Sequence, residues 1–230
     1  MKYSNIVRGI FLSRPNRFIA HVEINGREEI AHVKNTGRCK ELLIPGVEVY
    51  LQEHDNPKRK TRFSLITVQK GNMLINIDSQ APNKVLLEAL IDGIRLPHLD
   101  NKVSKIKPEV VYGNSRLDFY IEAGDQKAYI EVKGATLEQN GVIMFPDAPT
   151  ERGVKHMGEL MKAVEDGYLA YVIFIIQMKG VQYFMPNDCT HAEFGRVLRE
   201  ADKMGVNILA YDCYVTPDEM RIDKLVGIKL

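Results

Sequence analysis

Tryptophan is absent from the chain, and cysteine is scarce: three residues, Cys39, Cys189 and Cys213. Three thiols, odd in number and far apart, make neither a disulfide framework nor a thiolate zinc site, and they fit a reducing cytoplasm. Long apolar runs are missing too. Residues 170–176 form the longest candidate, and that is a strand's length, well short of the ~20 residues a membrane span needs. No membrane partner is therefore expected. Met1-Lys2-Tyr3-Ser4-Asn5 shows no apolar core and no small-residue cleavage site, so no secretion signal is expected either. Net charge is only +1. What is present is ordinary globular composition, 45% hydrophobic and 27% charged over 230 residues, which excludes wholesale disorder. The length allows one large domain, or two of about 80 and about 150 residues.

The small net charge hides an asymmetry. Residues 1–80 carry 13 Lys and Arg against 8 Asp and Glu, a balance of +5; the remaining 18 against 22 leave −4. Chance produces shifts of this size. The sharper reading is a basic front domain that holds a polyanion and an acidic rear domain that holds metal or does chemistry. Short alternating runs at residues 18–24, 28–33, 47–51, 63–69 and 73–77, with turn signals at Asn25-Gly26, Pro45-Gly46 and Gly71-Asn72, predict five or six strands. A five-stranded oligonucleotide-binding barrel is the best-sized candidate for residues 1–80.

At Ala81-Pro82-Asn83 the pattern changes. Pro82 suits a helix start, and Leu86, Leu87, Leu90, Ile91 and Ile94 recur with helical period toward Asp92-Gly93. Strands are predicted at 109–112, 116–122 and 127–133, the last two joined as a hairpin at Gly124-Asp125. A second helix runs from about 150 to 166, with Gly167 as its cap. A buried strand at 168–177, a third helix from about 192 to 204 and a strand at 207–215 follow. Residues 81–230 thus read as a mixed sheet covered by helices, and the whole chain as an α/β (α+β) protein.

The hairpin carries the most informative residues. Leu117, Phe119 and Ile121 share one face and Asp118 the other; Ile130 and Val132 share one face, Glu131 and Lys133 the other. Paired as drawn, Asp118, Glu131 and Lys133 converge. Two carboxylates suit Mg²⁺ (or Mn²⁺), and an ammonium suits developing negative charge on a phosphodiester. The plain alternative is a solvated strand face with a cross-strand ion pair, worth little.

The helix–hairpin–helix–strand order is that of the PD-(D/E)xK nuclease superfamily. More narrowly, the chain resembles the sugar fermentation stimulation protein family, SfsA, nearly end to end. The resemblance is carried by Asn16-Arg17-Phe18, Asn35-Thr36-Gly37-Arg38, Asn56-Pro57-Lys58-Arg59-Lys60-Thr61, Pro82-Asn83, Ser115-Arg116-Leu117-Asp118-Phe119 and Glu131-Val132-Lys133. Phe145-Pro146-Asp147-Ala148-Pro149-Thr150-Glu151-Arg152-Gly153, followed by Lys155-His156, extends it. It implies an oligonucleotide-binding (OB-fold-like) barrel followed by a nuclease-like domain, DNA binding, and a role in sugar-catabolic gene expression. By position it implies that Asp118 and Glu131 are the metal carboxylates and Lys133 the catalytic lysine. Leu117 stands where the superfamily often has proline. Many members add a glutamate from the first helix, for which Glu88 is the candidate here; its place off the apolar stripe also fits a solvated side chain.

Further candidates surround this set. Thr150 is a plausible N-cap. Arg152 and Lys155 lie near the start of the second helix, where phosphate is favoured; an exposed pair with Glu151 is the alternative for Lys155. His156 reads as a supporting residue, and Asp147 as a partner of Lys155 or of the metal, or as a turn residue. In the front domain, Lys58, Arg59, Lys60 and Arg62, next to Phe63, form the densest basic run, with Arg38, Arg14 and Arg17 able to join in phosphate contact. Three functions compete: a Mg²⁺-dependent DNA nuclease, a non-enzymatic DNA-binding regulator, and a carbohydrate-binding barrel. The last is disfavoured because tryptophan is absent and the aromatics show no cluster.

Overall fold

In the computed structural model, which describes residues 1–35 and 37–230, the front of the chain closes on itself. Thr36, part of the Asn35-Thr36-Gly37-Arg38 turn, lies outside the described residues. Strands β1 (Ile6–Asn16), β2 (Ile19–Ile24), β3 (Arg27–Val33), β4 (Glu48–Glu53) and β5 (Phe63–Lys70) pair in the order β3-β2-β1-β4-β5. A parallel β3–β5 pairing then completes a five-stranded barrel of the OB kind, and β6 (Met73–Asn76) adds to the edge of β5. Asn25 and Gly26 both take positive φ, as a two-residue hairpin turn requires. Ala20 and Val22 of β2 meet Val49, Leu51, Leu65 and Val68 inside the barrel. Strand β1, the longest of the barrel, precedes the first run that the sequence pattern marks. Arg8, Ser13 and Arg14 interrupt its alternation, and its register against β2 shifts twice.

The rear of the chain runs α1 (Ala81–Ile91), β7 (Lys105–Tyr112), β8 (Ser115–Ala123), β9 (Gln126–Ala135), β10 (Leu137–Gln139), β11 (Val142–Phe145), α2 (Glu151–Glu165), β12 (Leu169–Ile176), β13 (Tyr183–Pro186), α3 (Asp188–Lys203), β14 (Asn207–Val215), β15 (Met220–Leu225) and β16 (Gly227–Ile228). Its main sheet has the order β15-β14-β12-β9-β8-β7. Strand β12 runs parallel to β9 and β14, while the hairpin partners at both edges are antiparallel, so the sheet is mixed. One face packs on α1 through Val85, Leu86 and Leu90; the other packs on α2 and α3 through Met157, Leu160, Phe194 and Leu198. Covered on both sides, β12 is nearly continuous in buried apolar residues. The core of the α2 face continues into the barrel without a break.

Several short elements differ from the sequence expectation. Strand β7 starts four residues earlier, at Lys105, and α3 starts at Asp188 with a kink at His191. A second sheet, β10-β11-β13-β16, has no counterpart in the sequence pattern, since its strands have two to four residues and too little alternation to read. Barrel and rear unit meet in a buried polar network. Asp78, fully buried, accepts from Lys34 Nζ at 2.9 Å and from Tyr3 at 3.4 Å. The amide nitrogen of Gln177, from the strand exit of β12, donates to Asn76 Oδ1 and to the Asp78 carbonyl, both at 3.1 Å.

Candidate active site

The β8–β9 ladder runs from Ala123–Gln126 to Phe119–Ile130 and then opens. One step beyond that last pair stand Asp118 and Glu131, across from each other where the strands part. Freed from the ladder, the amide of Val132 donates to Asp118 Oδ2 at 2.8 Å. Asp118 Oδ1 accepts from Asn83 Nδ2 at 2.8 Å, so the first turn of α1 fixes the other oxygen. Asn83 appears in the sequence only as part of the Pro82-Asn83 marker; its role beside Asp118 is missed, because an asparagine in the first turn of a helix carries no signal of what it faces.

Glu131 is 3% exposed. Its Oε1 receives two donors: Lys133 Nζ at 2.6 Å and His156 Nδ1 at 2.5 Å. Arg152 Nε donates to His156 Nε2 at 3.3 Å, which leaves Nδ1 to carry the hydrogen toward Glu131. Glu131 Oε2 is buried and has no hydrogen-bond partner among the described residues. Burial alone would raise the Glu131 carboxyl, but the donors His156 and Lys133 outweigh it and hold it below its ordinary range. Asp118 goes the other way: burial first, and the Glu131 charge second, push it up. Two crowded carboxylates of opposite tendency, one with an orphaned buried oxygen, form a hard-oxygen donor set of the kind a divalent cation takes. Among the described residues, no group of three or more His, Cys, Asp or Glu is placed to hold a metal ion, so the protein's own share of such a site is this pair.

Around it the α2 start presents cations. Thr150 caps the helix through Gly153 N at 3.1 Å, as expected. Arg152 and Lys155 are exposed and, with Arg116 and His156, line an open cavity of about 560 Å³. Lys155 donates to the Asn114 carbonyl at 2.6 Å, while Glu151 turns to His191 instead. Arg116 is a further cation of this rim; it was legible only as part of the hairpin motif.

Other expectations need correction. Glu88 does not reach the carboxylates. It is about half exposed on another side of α1 and pairs with the amino group of Met1 at 2.5 Å. Asp147 meets neither Lys155 nor Asp118. Its loop lies against the barrel, where a Cβ on Gly37 would come within 2.5 Å of Asp147 Oδ2, and it lines a small cavity of about 110 Å³ between the two units. Arg14 is spent on carbonyls: its guanidinium donates to those of Arg17, Asn35, Gly37 and Arg38. Arg62 pairs with Glu53 and lies over Phe63. Lys58, Arg59 and Lys60 are exposed in the β4–β5 loop, with Arg59 tied to Ser64 Oγ at 2.9 Å. Arg38 is exposed beside a separate barrel cavity. The aromatics do cluster. Tyr112, Tyr120 and Tyr168 surround Tyr129 with ring centroids 4.6–5.2 Å from it. Distant in sequence, they meet only through the sheet, and the hydroxyls of Tyr112 and Tyr120 are engaged by Asp166 and Glu122.

Known proteins resemble this chain from end to end. The family model described as the SfsA N-terminal OB domain matches residues 12–77, and the sugar fermentation stimulation protein RE domain matches residues 80–219. Sugar fermentation stimulation protein homologs from Ruminiclostridium cellulolyticum and Desulfitobacterium hafniense (strain Y51) are 58% and 60% identical over 230 residues; each spans 100% of this chain, and the match takes in 100% and 99% of theirs. A solved structure of Pyrococcus furiosus SfsA in complex with Ca²⁺ is similar with a TM-score of 0.89 at 31% identity, covering 100% of this chain and 98% of that one. End-to-end identity of this order, on a barrel followed by a mixed sheet, leaves one assignment: the chain belongs to the sugar fermentation stimulation protein family.

Proposed function

We propose that this chain is a cytoplasmic DNA-binding protein whose rear unit is a divalent-metal-dependent phosphodiesterase acting on DNA. The observation that carries the reading is the orphaned, buried Oε2 of Glu131 beside Asp118, with Lys133 on the same carboxylate. A structural ion pair needs no second, half-buried carboxylate at its side; a metal site does.

Asp118 and Glu131 are the residues that would hold Mg²⁺ or Mn²⁺. Bound there, such a cation neutralises phosphate charge and makes a bound water more acidic. The Ca²⁺ held by the Pyrococcus furiosus relative supports a divalent site. Asn83 and the Val132 amide orient Asp118, and His156 orients Glu131. Lys133 brings its ammonium to the edge of the carboxylate pair, where it steadies negative charge developing on the reacting phosphate. Arg116, Arg152 and Lys155 grip flanking phosphates. The barrel adds the exposed Lys58, Arg59 and Lys60 for sequence-independent attraction to the backbone.

A second reading, a DNA-binding regulator of sugar-catabolic genes without catalysis, draws on one observation: with Glu88 turned away, only two carboxylates remain at the site among the described residues. A crystal soaked in Mn²⁺ tests the site. The proposal expects anomalous density between Asp118 and Glu131, lost in Glu131→Gln. A parent crystal without it sinks the metal-dependent reading.

A further inference from the structure

The barrel holds a cavity of about 600 Å³ that the reaction does not use. Its apolar side is built from Phe11, Leu43 and Pro45, and its rim from Arg17, Arg38 and Lys40, with no carboxylate lining it among the described residues. None of these three cations makes an ion pair among the described residues. Phe18 lies outside the cavity lining, next in the chain to Arg17 of the rim. Asn16 Oδ1 accepts from the amides of Phe18 and Ile19 at 2.9 and 3.1 Å, which fixes the β1–β2 turn and leaves the Phe18 ring 49% exposed. The Arg17 guanidinium sits 5.7 Å from that ring's centroid. An exposed aromatic, an apolar hollow and three uncompensated cations, side by side, match a polyanion that carries flat apolar groups.

We infer that this cavity takes an unpaired base of single-stranded DNA, with the next base stacked on Phe18 and the intervening phosphates on Arg17, Arg38 and Lys40. Duplex DNA offers the cations its phosphates but cannot offer the hollow a base. The placement joins this site to the carboxylates. Gly37 and Arg38 wall this cavity, while Asn35 of the same turn walls the small junction cavity, whose far side is Gly134, next to Lys133. A single-stranded flank held in the barrel therefore leads toward the reacting centre. The inference rests on the DNA-binding reading of the whole chain and adds which form of DNA the barrel selects.

The test is fluorescence anisotropy on the full chain, in EDTA so that no strand is cut, with three labelled probes of equal length: oligothymidylate, an abasic oligomer and a blunt duplex. Oligothymidylate is expected to bind tightest. Phe18→Ala, at an exposed position, is expected to weaken it about 5- to 100-fold, the worth of one stacked base, while the abasic oligomer changes little. Arg38→Ala with Lys40→Ala is expected to weaken all three probes. Equal affinity for oligothymidylate and the abasic oligomer, or no effect of Phe18→Ala, overturns the base pocket and leaves DNA binding standing. Failure to bind any probe overturns both.

Discussion

Glu131 accepts from Lys133 and His156 through one oxygen and keeps the other bare, and Asp118 sits opposite with its charge disfavoured by burial and by Glu131. Each side chain thus has a separate role that substitution can expose. Asp118→Asn removes one of the paired charges and keeps the volume; its remaining oxygen can take the Val132 amide, while Asn83 must turn its own amide to accept from the new Nδ2. The substitution should eliminate Mn²⁺ binding by calorimetry while DNA affinity in EDTA stays level or rises, since one less negative charge faces the backbone. Unchanged Mn²⁺ heats would remove Asp118 from the metal set. At this scale strand alternation puts Glu131 and Lys133 on one face. Leu117, however, joins the α2-side core while Phe119 and Ile121 join the α1-side core, so the roles of Asp118, Glu131 and Lys133 rest on the family resemblance and not on period two. The sequence is unreadable where the partner comes from elsewhere in the fold. Asn83 meets Asp118, Glu88 meets Met1 and Asp147 meets the Gly37 turn, and no spacing along the chain signals such pairings.

At the scale of elements, the end of β9 is held by close approach. Gly134 lies under the start of α1 and the end of β12: an added Cβ would come within 2.6 Å of Gln177 Oε1 and 2.8 Å of Pro82 Cγ. The Pro82 ring has little freedom to yield. Gly134→Ala should therefore cost about 1–3 kcal/mol, read as a lower urea midpoint at unchanged slope; parent-like stability would mean that α1 shifts freely. The β4–β5 loop is open by contrast. Lys58→Ala, Arg59→Ala and Lys60→Ala together should weaken binding to every DNA sequence and lower the salt slope by roughly 0.9 for each phosphate no longer neutralised. A triple variant that binds as the parent does would acquit the loop. The long helices and buried β12 are legible from period and hydropathy. Strand β1 is not, because bulges break its alternation, and β10, β11, β13 and β16 are too short to show any.

For the whole molecule, barrel and rear unit are tied by charge as well as by core. Lys70 of β5 donates to Glu138 of β10, to its carbonyl at 2.7 Å and its carboxylate at 2.5 Å, and the Gly141 amide adds a third bond at 2.5 Å. Burial would raise Glu138, but Lys70 and Gly141 outweigh it and hold it below its ordinary range. A depressed carboxyl stabilises the fold above its unfolded pKa of about 4.3, and the gain is lost as pH falls through the lower folded value. Glu138→Gln should cost about 1–2 kcal/mol at pH 7 and close the gap to the parent below pH ~4, measured by thermal denaturation across pH. A constant gap at every pH would assign the effect to packing.

The central claim is that Asp118, Glu131 and Lys133 cut DNA with a divalent cation. Its most direct test is a cleavage assay of the parent and Lys133→Ala on single-stranded, duplex and branched DNA, with Mg²⁺ and with Mn²⁺, beside a binding measurement on the same preparations. The account predicts cleavage by the parent in at least one pairing of DNA and metal, a fall of about 100-fold or more in Lys133→Ala, and nearly equal binding by the two. A parent that binds every DNA form without metal and cuts none would contradict it and leave the regulator.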